Sequence, residues 1–345
     1  MNKLINNNSF YIDEGLQKDI LLNIKSKAAN SIILAGPKGS GKLPFLLKLS
    51  KYLLCKFENN EEKSDDPISL NNIKKNKSYY LFDNNTHPDF FYLTKNIEKD
   101  NKNIPIDKVR EFKTFFYKTF SISKVKIALI NSIEDLSINS SNLILKTLEE
   151  LPENSYVFIV CNDPINISET IKSRCALFYV NRMIQESFIE VINKLYPQIS
   201  EQEKFFIINN SMGLQGLASE LINENVYQLY ELILNDLITS NGFLNLNEDI
   251  LQVINSKDQE NLLNFLNIII NDLLKKSLFF LNEKKYLELT LEKEKELIQV
   301  IIQKKNYAEL LNLYSEFNKN MSIANSINLN KSDILIDCFK DLCGI

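Results

Sequence analysis

The sequence has little of what metal centres, disulfide frameworks and membrane spans require. Its 345 residues include one histidine, His87, and five cysteines that are not clustered. A histidine-based metal site or a Ser-His-Asp triad is therefore not expected, and the cysteines fit a reducing cytoplasm. His87 precedes a proline and a predicted strand, which is typical of a structural turn residue. The N-terminal MNKLINNNSF lacks the apolar run of a signal peptide, and residues 262–281 are interrupted by asparagine, aspartate and lysine. We therefore expect a cytoplasmic protein that does not enter a membrane.

An excess of positive charge is also absent, because the formal net charge is −4 at pH 7. Bulk electrostatic attraction to nucleic acid is excluded for such a chain. Any contact with DNA would have to be local or supplied by a partner.

Proline and glycine are scarce in the second half of the chain, which divides it into two kinds of structure. The last proline is Pro197, and only four glycines follow Val180. Before that point short β-type runs alternate with helical spacing, which predicts a parallel sheet with helices on both faces. After it, apolar residues recur at helical spacing, which predicts an all-α region. The segment 58–85 is rich in Asn, Lys, Asp and Glu and is predicted to be a partly disordered surface insertion.

The predicted elements follow from these patterns. Strands are placed at 31–35, 90–93, 125–130, 156–160 and 177–180. Helices are placed at 44–56, 107–119, 139–151 and 167–172 in the first half. In the second half they are placed at 226–238, 248–254, 261–281, 294–302, 307–317 and 333–342.

The run from Gly36 to Leu43 fits the phosphate-binding pattern G-x-x-x-x-G-K, with Lys42 as its lysine. It follows a predicted strand and precedes a predicted helix, which is the context that this loop requires. Gly36, Gly39 and Gly41 would let backbone N–H groups turn toward phosphate oxygens, and Lys42 would reach the β- and γ-phosphates. A plain strand-to-helix turn is the alternative.

Groups that hold Mg²⁺ are missing from this loop and from the strand expected beside it. Leu43 stands where a serine or threonine hydroxyl coordinates Mg²⁺. The third strand is followed by Asn131 and Ser132 instead of a carboxylate pair, and we expect Glu134 and Asp135 to face elsewhere. The sequence thus predicts a degenerate nucleotide site that does not hydrolyse ATP, and it leaves weak binding of ATP or ADP open.

Motifs spread over the first half resemble those of one protein family. They are His87-Pro88-Asp89, Ile106-Asp107-Lys-Val-Arg110-Glu111, Lys124–Ile130, Asn142–Asn154, Cys161-Asn162-Asp163-Pro164 and Ile171–Cys175. The most specific is Leu145-Lys-Thr-Leu-Glu-Glu150, followed further along the chain by Ser173-Arg174-Cys175. On these residues the chain resembles the delta-prime subunits of the bacterial DNA polymerase III clamp loader, a family of the AAA+ group. Asn328-Leu-Asn330 and the helix after it are similar to the C-terminal signature of that family.

The resemblance implies three domains and a place in a hetero-oligomeric ring. The domains are a RecA-like AAA+ domain over residues 1–180, a small helical lid over 181–224 and an all-α collar over 225–345. The implied role is a catalytically silent subunit that holds the delta subunit while gamma/tau-type subunits hydrolyse ATP. The assembly would load the sliding clamp on primer-template DNA during replication, in the bacterial cytoplasm at the replisome.

By this resemblance Arg174, the arginine of the Ser-Arg-Cys motif, is an arginine finger for a neighbour's ATP, with Ser173 and Cys175 as its motif context. Arginine suits the role, because its planar and permanently charged fork can contact a γ-phosphate bidentately. A surface or interface salt bridge is the alternative. Asn162 corresponds to the residue that senses the γ-phosphate in active relatives, or is a turn-former.

The third predicted helix, 139–151, carries three charged residues of interest. Glu149 and Glu150 are interpreted as a solvated or interface face and not as catalytic carboxylates. Lys146 is the candidate for a DNA contact, because clamp-loader relatives bind primed DNA with this helix and the loops near it. A phosphate contact of this kind would weaken as salt is added.

Two departures from the family bear on cofactors. Many members carry a four-cysteine zinc module, but here Cys55 is followed by no cysteine until Cys161, and one thiol cannot form a tetrahedral site. We predict no zinc, with residues 58–85 in place of the module. ATPase relatives also direct an arginine of the lid at the γ-phosphate, where this chain has Gly216. No cofactor is therefore expected to be required.

Two other functions stay open from the sequence. A gamma/tau-type clamp-loader ATPase with a divergent site is opposed by Leu43, Asn131 and Ser132, and would show Mg²⁺-dependent ATP turnover by the chain alone. An AAA+ interaction protein outside replication would fail to assemble with clamp-loader subunits.

Overall fold

The computed structural model describes the chain as two compact units. The described residues are 10–58, 73, 75–95, 103–239, 260–287, 289, 291–327 and 331–343. The first unit extends to Ile184 and also includes Gly213–Gly216, and the second comprises Gln185–Met212 and the chain from Leu217 onward. The predicted boundary between lid and collar lies within the second unit and stays a prediction. No helix in the described ranges is long and apolar enough to cross a membrane.

The first unit contains a five-stranded parallel sheet with the strand order β2-β3-β4-β1-β5. The strands are β1 (Ser31–Ala35), β2 (Phe90–Leu93), β3 (Lys126–Ile130), β4 (Ser155–Cys161) and β5 (Ala176–Tyr179). The predicted strands and their parallel pairing are confirmed, and their ends differ by at most one residue. Because β1 lies between β4 and β5, the residues that follow these three strands are neighbours at the carboxyl edge of the sheet.

Helices cover both faces of this sheet, which confirms the predicted α/β class. They are α1 (Glu14–Lys25), α2 (Lys42–Lys56), α3 (Lys77–Asp83), α4 (Ile106–Tyr117), α5 (Ile138–Glu149) and α6 (Glu169–Lys172). Ile32 and Leu34 belong to a core shared with α1, α2 and α3, whereas Ile33 and Ala35 belong to a second core shared with α4, α5 and α6. Successive side chains of a strand point to opposite faces, so a strand buried on both faces is apolar throughout.

Helix α1 has no counterpart in the sequence prediction. Its residues Ile20, Leu21 and Ile24 are buried in the first of the two cores. Asp13 caps the helix by accepting a hydrogen bond from the N–H of Leu16 at 3.1 Å. An aspartate before apolar residues at helical spacing is the signal that could have revealed it.

The end of the segment 58–85 forms helix α3, which the prediction of a partly disordered insertion did not include. The side chain of Asn76 caps this helix and also donates to the carbonyl oxygen of Cys55 at 2.8 Å. Phe82 is 1% exposed and lies in the core shared with α1 and α2. Most of the predicted insertion, residues 59–72 and 74, lies outside the described residues.

The second unit is helical over its described length, which confirms the predicted all-α region. Its helices are α7 (Gln185–Leu195), α8 (Glu201–Asn210), α9 (Gln215–Asn223), α10 (Val226–Thr239), α11 (Glu260–Glu283), α12 (Glu292–Lys304), α13 (Tyr307–Ile327) and α14 (Lys331–Cys343). Helix α9 starts within the Gly213–Gly216 segment of the first unit. The predicted helix 248–254 and the signature residues 328–330 lie outside the described residues.

A buried polar network joins three helices of the second unit. Lys276 on α11 contacts Glu294 on α12 at 3.0 Å, and the hydroxyl of Tyr230 on α10 donates to Glu294 at 3.1 Å. The side chains of Lys276 and Glu294 are 5% and 1% exposed. A buried charge is strongly unfavourable unless it is paired and hydrogen-bonded, so these residues depend on one another.

Candidate phosphate loop and arginine site

The loop between β1 and α2 has the geometry of the phosphate-binding pattern. Gly36, Gly39 and Gly41 adopt φ angles of 149°, 86° and 89°, which glycine tolerates better than other residues. At Gly36 an added Cβ atom would lie 2.1 Å from the carbonyl oxygen of Val180, so that only glycine fits. Helix α2 begins directly after the loop, at Lys42.

The ammonium group of Lys42 is bound by the loop itself. Its Nζ donates to the carbonyl oxygens of Gly36 and Pro37, at 2.7 and 2.6 Å, and lies 3.3 Å from the hydroxyl of Ser40. Burial lowers the pKa of Lys42 to about 8, although a nearby thiol and the carboxylate of Glu134 oppose the shift. The ammonium group that would face a phosphate is therefore engaged with the protein's own acceptors.

The segment Gly213–Gly216 packs directly on this loop. The N–H of Gly216 donates to the carbonyl oxygen of Gly39 at 2.7 Å. The side chain of Gln215 makes two hydrogen bonds with the backbone of Tyr11, at 2.7 and 2.6 Å. A Cβ atom at Gly216 would stand 2.7 Å from the Cα atom of Gly39. The position at which the resemblance implies an arginine in ATPase relatives thus has no room for a side chain in this arrangement.

Glu134 lies at the carboxyl edge of the sheet, and the expectation that it faces elsewhere is wrong. One of its oxygens accepts from the backbone N–H groups of Asn162 and Asp163, at 2.5 and 2.8 Å, and the other from the hydroxyl of Ser132 at 2.6 Å. A short 3-10 helix, Ile133–Asp135, turns the side chain back toward the end of β4. Burial raises the pKa of Glu134, but the hydrogen bonds outweigh it and leave the pKa below its ordinary value.

The remaining groups around the loop do not supply a metal site. Leu43 packs against the first core, which is shared with α1, α2 and α3. The side chain of Asn131 donates to the hydroxyl of Thr94 at 3.3 Å. Asp135 pairs with Lys95 at 3.3 Å. Within the described residues no three or more His, Cys, Asp or Glu side chains are grouped as metal ligands. The prediction that no zinc is bound stays a prediction.

Arg174 follows the short helix α6 and meets the end of helix α5. Its Nη2 forms an ion pair with an Oε of Glu149, and its Nη1 donates to the carbonyl oxygen of Thr170 at 2.9 Å and to the hydroxyl of Ser173 at 3.2 Å. The Arg174 side chain is 35% exposed. The structure therefore brings together the two sequence motifs that carry the resemblance.

The other predicted site residues have simpler surroundings. Cys175 packs against the second core of the first unit, which is shared with α4, α5 and α6. Burial raises its pKa to about 12, which keeps the thiol protonated and makes it a poor nucleophile. Lys146 is exposed on α5, as a DNA contact would require. Asn162 follows β4, and its backbone N–H is held by Glu134.

His87 and Asp89 form a structural turn, as predicted for the histidine. The Asp89 carboxylate is fully buried and accepts from the backbone N–H groups of Ser121, Ile122 and Ser123 at 2.8 to 2.9 Å. The N–H of Asp89 donates to Nδ1 of His87 at 3.1 Å. The motif thus fixes the loop before β3. Asp89 was recognised in the sequence as part of a motif, but this structural role was not predicted.

Comparison with known proteins identifies sequence relatives of this chain. A family model described as DNA polymerase III, delta subunit, matches residues 16–183. The chain is 29% identical over 151 residues to DNA polymerase III subunit delta-prime of Pseudomonas aeruginosa. This alignment covers 44% of this chain and 43% of that protein. It is also 29% identical over 285 residues to subunit delta-prime of Buchnera aphidicola subsp. Acyrthosiphon pisum. That alignment covers 80% of this chain and 78% of that protein. The matched region thus spans less than half of the Pseudomonas relative.

Among solved structures, a similar one matches nearly the whole chain. It is a DNA polymerase III gamma-subunit-related protein from Thermotoga maritima, with a TM-score of 0.50 and 16% identity, covering 95% of this chain and 99% of that one. This likeness supports the fold, while the sequence matches extend through the phosphate loop, Glu134 and the Ser-Arg-Cys motif. In sequence the chain is therefore similar to delta-prime subunits of DNA polymerase III, over up to 80% of its length, and its residues 16–183 match the family model.

Proposed function

We propose that this chain is a non-hydrolysing subunit of a clamp loader and that Arg174 acts on ATP held by a neighbouring subunit. The absence of hydrolysis is supported by the hydrogen bonds that the phosphate loop makes with other groups of the same chain. Lys42 donates to carbonyl oxygens of the loop, and Gly216 is hydrogen-bonded to the loop glycine Gly39. Binding of ATP or ADP would compete with these contacts, so we expect such binding to be weak or absent.

The chain also lacks the chemistry of hydrolysis at this loop. Leu43 offers no oxygen to Mg²⁺, and Asn131 and Ser132 offer no carboxylate to position an attacking water. Glu134 is nearby, but both of its oxygens accept hydrogen bonds from the protein. A divergent ATPase would need at least one of these groups to be available for the metal.

Arg174 supports the second half of the proposal through its chemistry and its partial exposure. Guanidinium groups stabilise the charge that develops on a transferred phosphoryl group, and an arginine finger raises kcat by roughly 10³ to 10⁵. The side chain stands at a helix end with 35% of its surface exposed. A neighbouring subunit could therefore bring its γ-phosphate to this position.

The partners that this role requires are proposed with it. They are gamma/tau-type ATPase subunits, the delta subunit, the sliding clamp and primer-template DNA, in the bacterial cytoplasm. The exposed Lys146 on α5 is the proposed DNA contact of this chain, although the net charge of −4 means that most of the positive potential would come from partners. Neither zinc nor another cofactor is required.

The test uses the ATPase and delta subunits of the same organism. Clamp- and DNA-stimulated ATP hydrolysis and clamp loading are measured with no addition, with this chain, with Arg174→Ala and with Arg110→Ala. Arg110 is a matched control, because it is an exposed arginine in a surface ion pair with Asp107 on α4. We expect the wild type and Arg110→Ala to restore clamp loading, and Arg174→Ala to assemble but to fail.

Two outcomes would oppose the proposal. An Arg174→Ala assembly that loads clamps as fast as the wild type would make the arginine structural. Robust Mg²⁺-dependent ATP turnover by the isolated chain would favour a gamma/tau-type ATPase.

A further inference from the structure

We propose that Glu149 is a positioning residue, which holds the Arg174 guanidinium in the orientation needed to reach a phosphate. The inference rests on the proposed function of Arg174 and adds a second residue to that site. Glu149 is the last residue of helix α5, and Arg174 follows helix α6. The ion pair between them ties these two helix ends together.

The contacts of Arg174 define the orientation of its fork. Nη1 donates to the carbonyl oxygen of Thr170 in helix α6 and to the hydroxyl of Ser173 just after that helix, while Nη2 forms an ion pair with the carboxylate of Glu149. A guanidinium carries five N–H donors. Among the described residues the two N–H groups of Nη1 are engaged by these hydrogen bonds, whereas Nε–H makes none and can still meet a phosphate.

Local contacts alone would leave this side chain less well defined. Thr170 and Ser173 lie on the same turn as Arg174 and bind only one edge of the fork. Glu149 comes from a different helix and binds the other terminal nitrogen, which fixes the plane of the group. A misplacement of about 1 Å can lower a reaction rate by about 10²-fold, so fixing this plane matters more for rate than for folding.

Stability is a minor part of the role of this pair. The side chains of Arg174 and Glu149 are 35% and 46% exposed, and ion pairs at such exposure contribute little to folding. Replacing Glu149 should therefore leave the chain folded and able to assemble. The neighbouring Glu150 offers a matched control, because its carboxylate accepts from the hydroxyl of Tyr117 at 3.3 Å instead of from Arg174.

The experiment measures stimulated ATP hydrolysis by the whole assembly with Glu149→Ala, Glu149→Gln, Glu150→Ala, Arg174→Ala and the Glu149→Ala/Arg174→Ala double variant. We expect Glu149→Ala to lower kcat for the site served by Arg174 by about 10- to 100-fold with little change in KM for ATP. Glu149→Gln keeps a hydrogen-bond acceptor and should restore part of the rate, and Glu150→Ala should match the wild type. In the Arg174→Ala background, Glu149→Ala should cause no further loss.

The outcomes separate this inference from the function on which it rests. If Arg174→Ala is fully active, the finger and the positioning role are both wrong. If Arg174→Ala is inactive but Glu149→Ala keeps the wild-type rate or exceeds it, the finger stands and Glu149 does not position it. A rate for the double variant well below that of Arg174→Ala would mean that Glu149 acts independently of the arginine.

Discussion

Replacing Gly216 with alanine tests the contact that closes the phosphate loop, because two effects of known size oppose each other there. Gly216 is the second residue of helix α9, and intrinsic helix propensity alone would favour alanine by up to about 1 kcal/mol. The added Cβ atom, however, would lie 2.7 Å from the Cα atom and 3.0 Å from the carbonyl oxygen of Gly39. Both of these are backbone atoms, which cannot rotate away.

Steric repulsion should therefore prevail over propensity. Overpacking of this kind costs about 1–3 kcal/mol, and separating Gly216 from Gly39 also weakens their 2.7 Å hydrogen bond, which contributes about 1 kcal/mol. After the gain in propensity, we expect the free energy of unfolding of the first unit to fall by about 1–3 kcal/mol. Amide hydrogen exchange of residues 36–42 should become faster.

The assay is urea unfolding followed by circular dichroism, together with hydrogen exchange read by mass spectrometry. Gly15→Ala is the matched control, because its Cβ atom would meet only the flexible side chain of Asp13 near the start of α1. Because Asp13 can move at the cost of weakening its cap on Leu16, that variant should lose less stability than Gly216→Ala and should leave exchange in the loop unchanged. A Gly216→Ala protein that is as stable as the wild type, with unchanged exchange in the loop, would refute the described contact.

Two further predictions concern buried charges. Lys276→Met leaves the Glu294 carboxylate buried without its ammonium partner, and we expect it to lower the free energy of unfolding by about 3–5 kcal/mol, measured by urea unfolding. The Lys276→Met/Glu294→Leu double variant should lose far less than the sum of the single losses, and additive losses would contradict the pairing. For Lys42, burial lowers the pKa to about 8. As the pH rises, the folded state therefore releases this proton at a lower pH than the unfolded state does. Stability should rise with pH from about 8 toward 10.5 by about 1 kcal/mol per pH unit. Lys42→Met should lack this rise, and equal pH dependence in both proteins would contradict the shift.

The phosphate loop keeps the backbone architecture of a nucleotide-binding loop, although the sequence lacks the groups that hold Mg²⁺ there. The glycines, the strand before them and the helix after them remain, while the Mg²⁺-binding hydroxyl and the carboxylate pair are missing. Lys42 and Gly216 close the loop from within the first unit. A loop closed in this way would suit the proposed subunit, whose contribution is made through Arg174.

Sequence was sufficient for the elements whose pattern is local. The strands were predicted to within one residue because a parallel strand buried on both faces is a continuous apolar run, as in Ser31–Ala35. The phosphate loop was found because its glycines and lysine have fixed spacing. The same fixed spacing places the Mg²⁺-binding hydroxyl directly after the lysine, so the presence of Leu43 there showed that this ligand is missing.

Tertiary structure decided the features that depend on residues far apart in the chain. Glu134 was expected to face elsewhere, yet a short 3-10 helix turns its carboxylate to the backbone after β4. The contact between Gly39 and Gly216 joins segments that no spacing rule connects.

The arginine site shows the same division between sequence and structure. The two motifs that carry Glu149 and Arg174 were both recognised in the sequence, but their ion pair was not. Such pairings depend on which faces of the elements meet when the chain packs, and hydrophobic periodicity does not encode that choice for individual polar groups. The sequence by itself therefore determined the α/β class, the family resemblance and the degenerate loop, and the packing of the chain decided how the loop is closed and what holds Arg174.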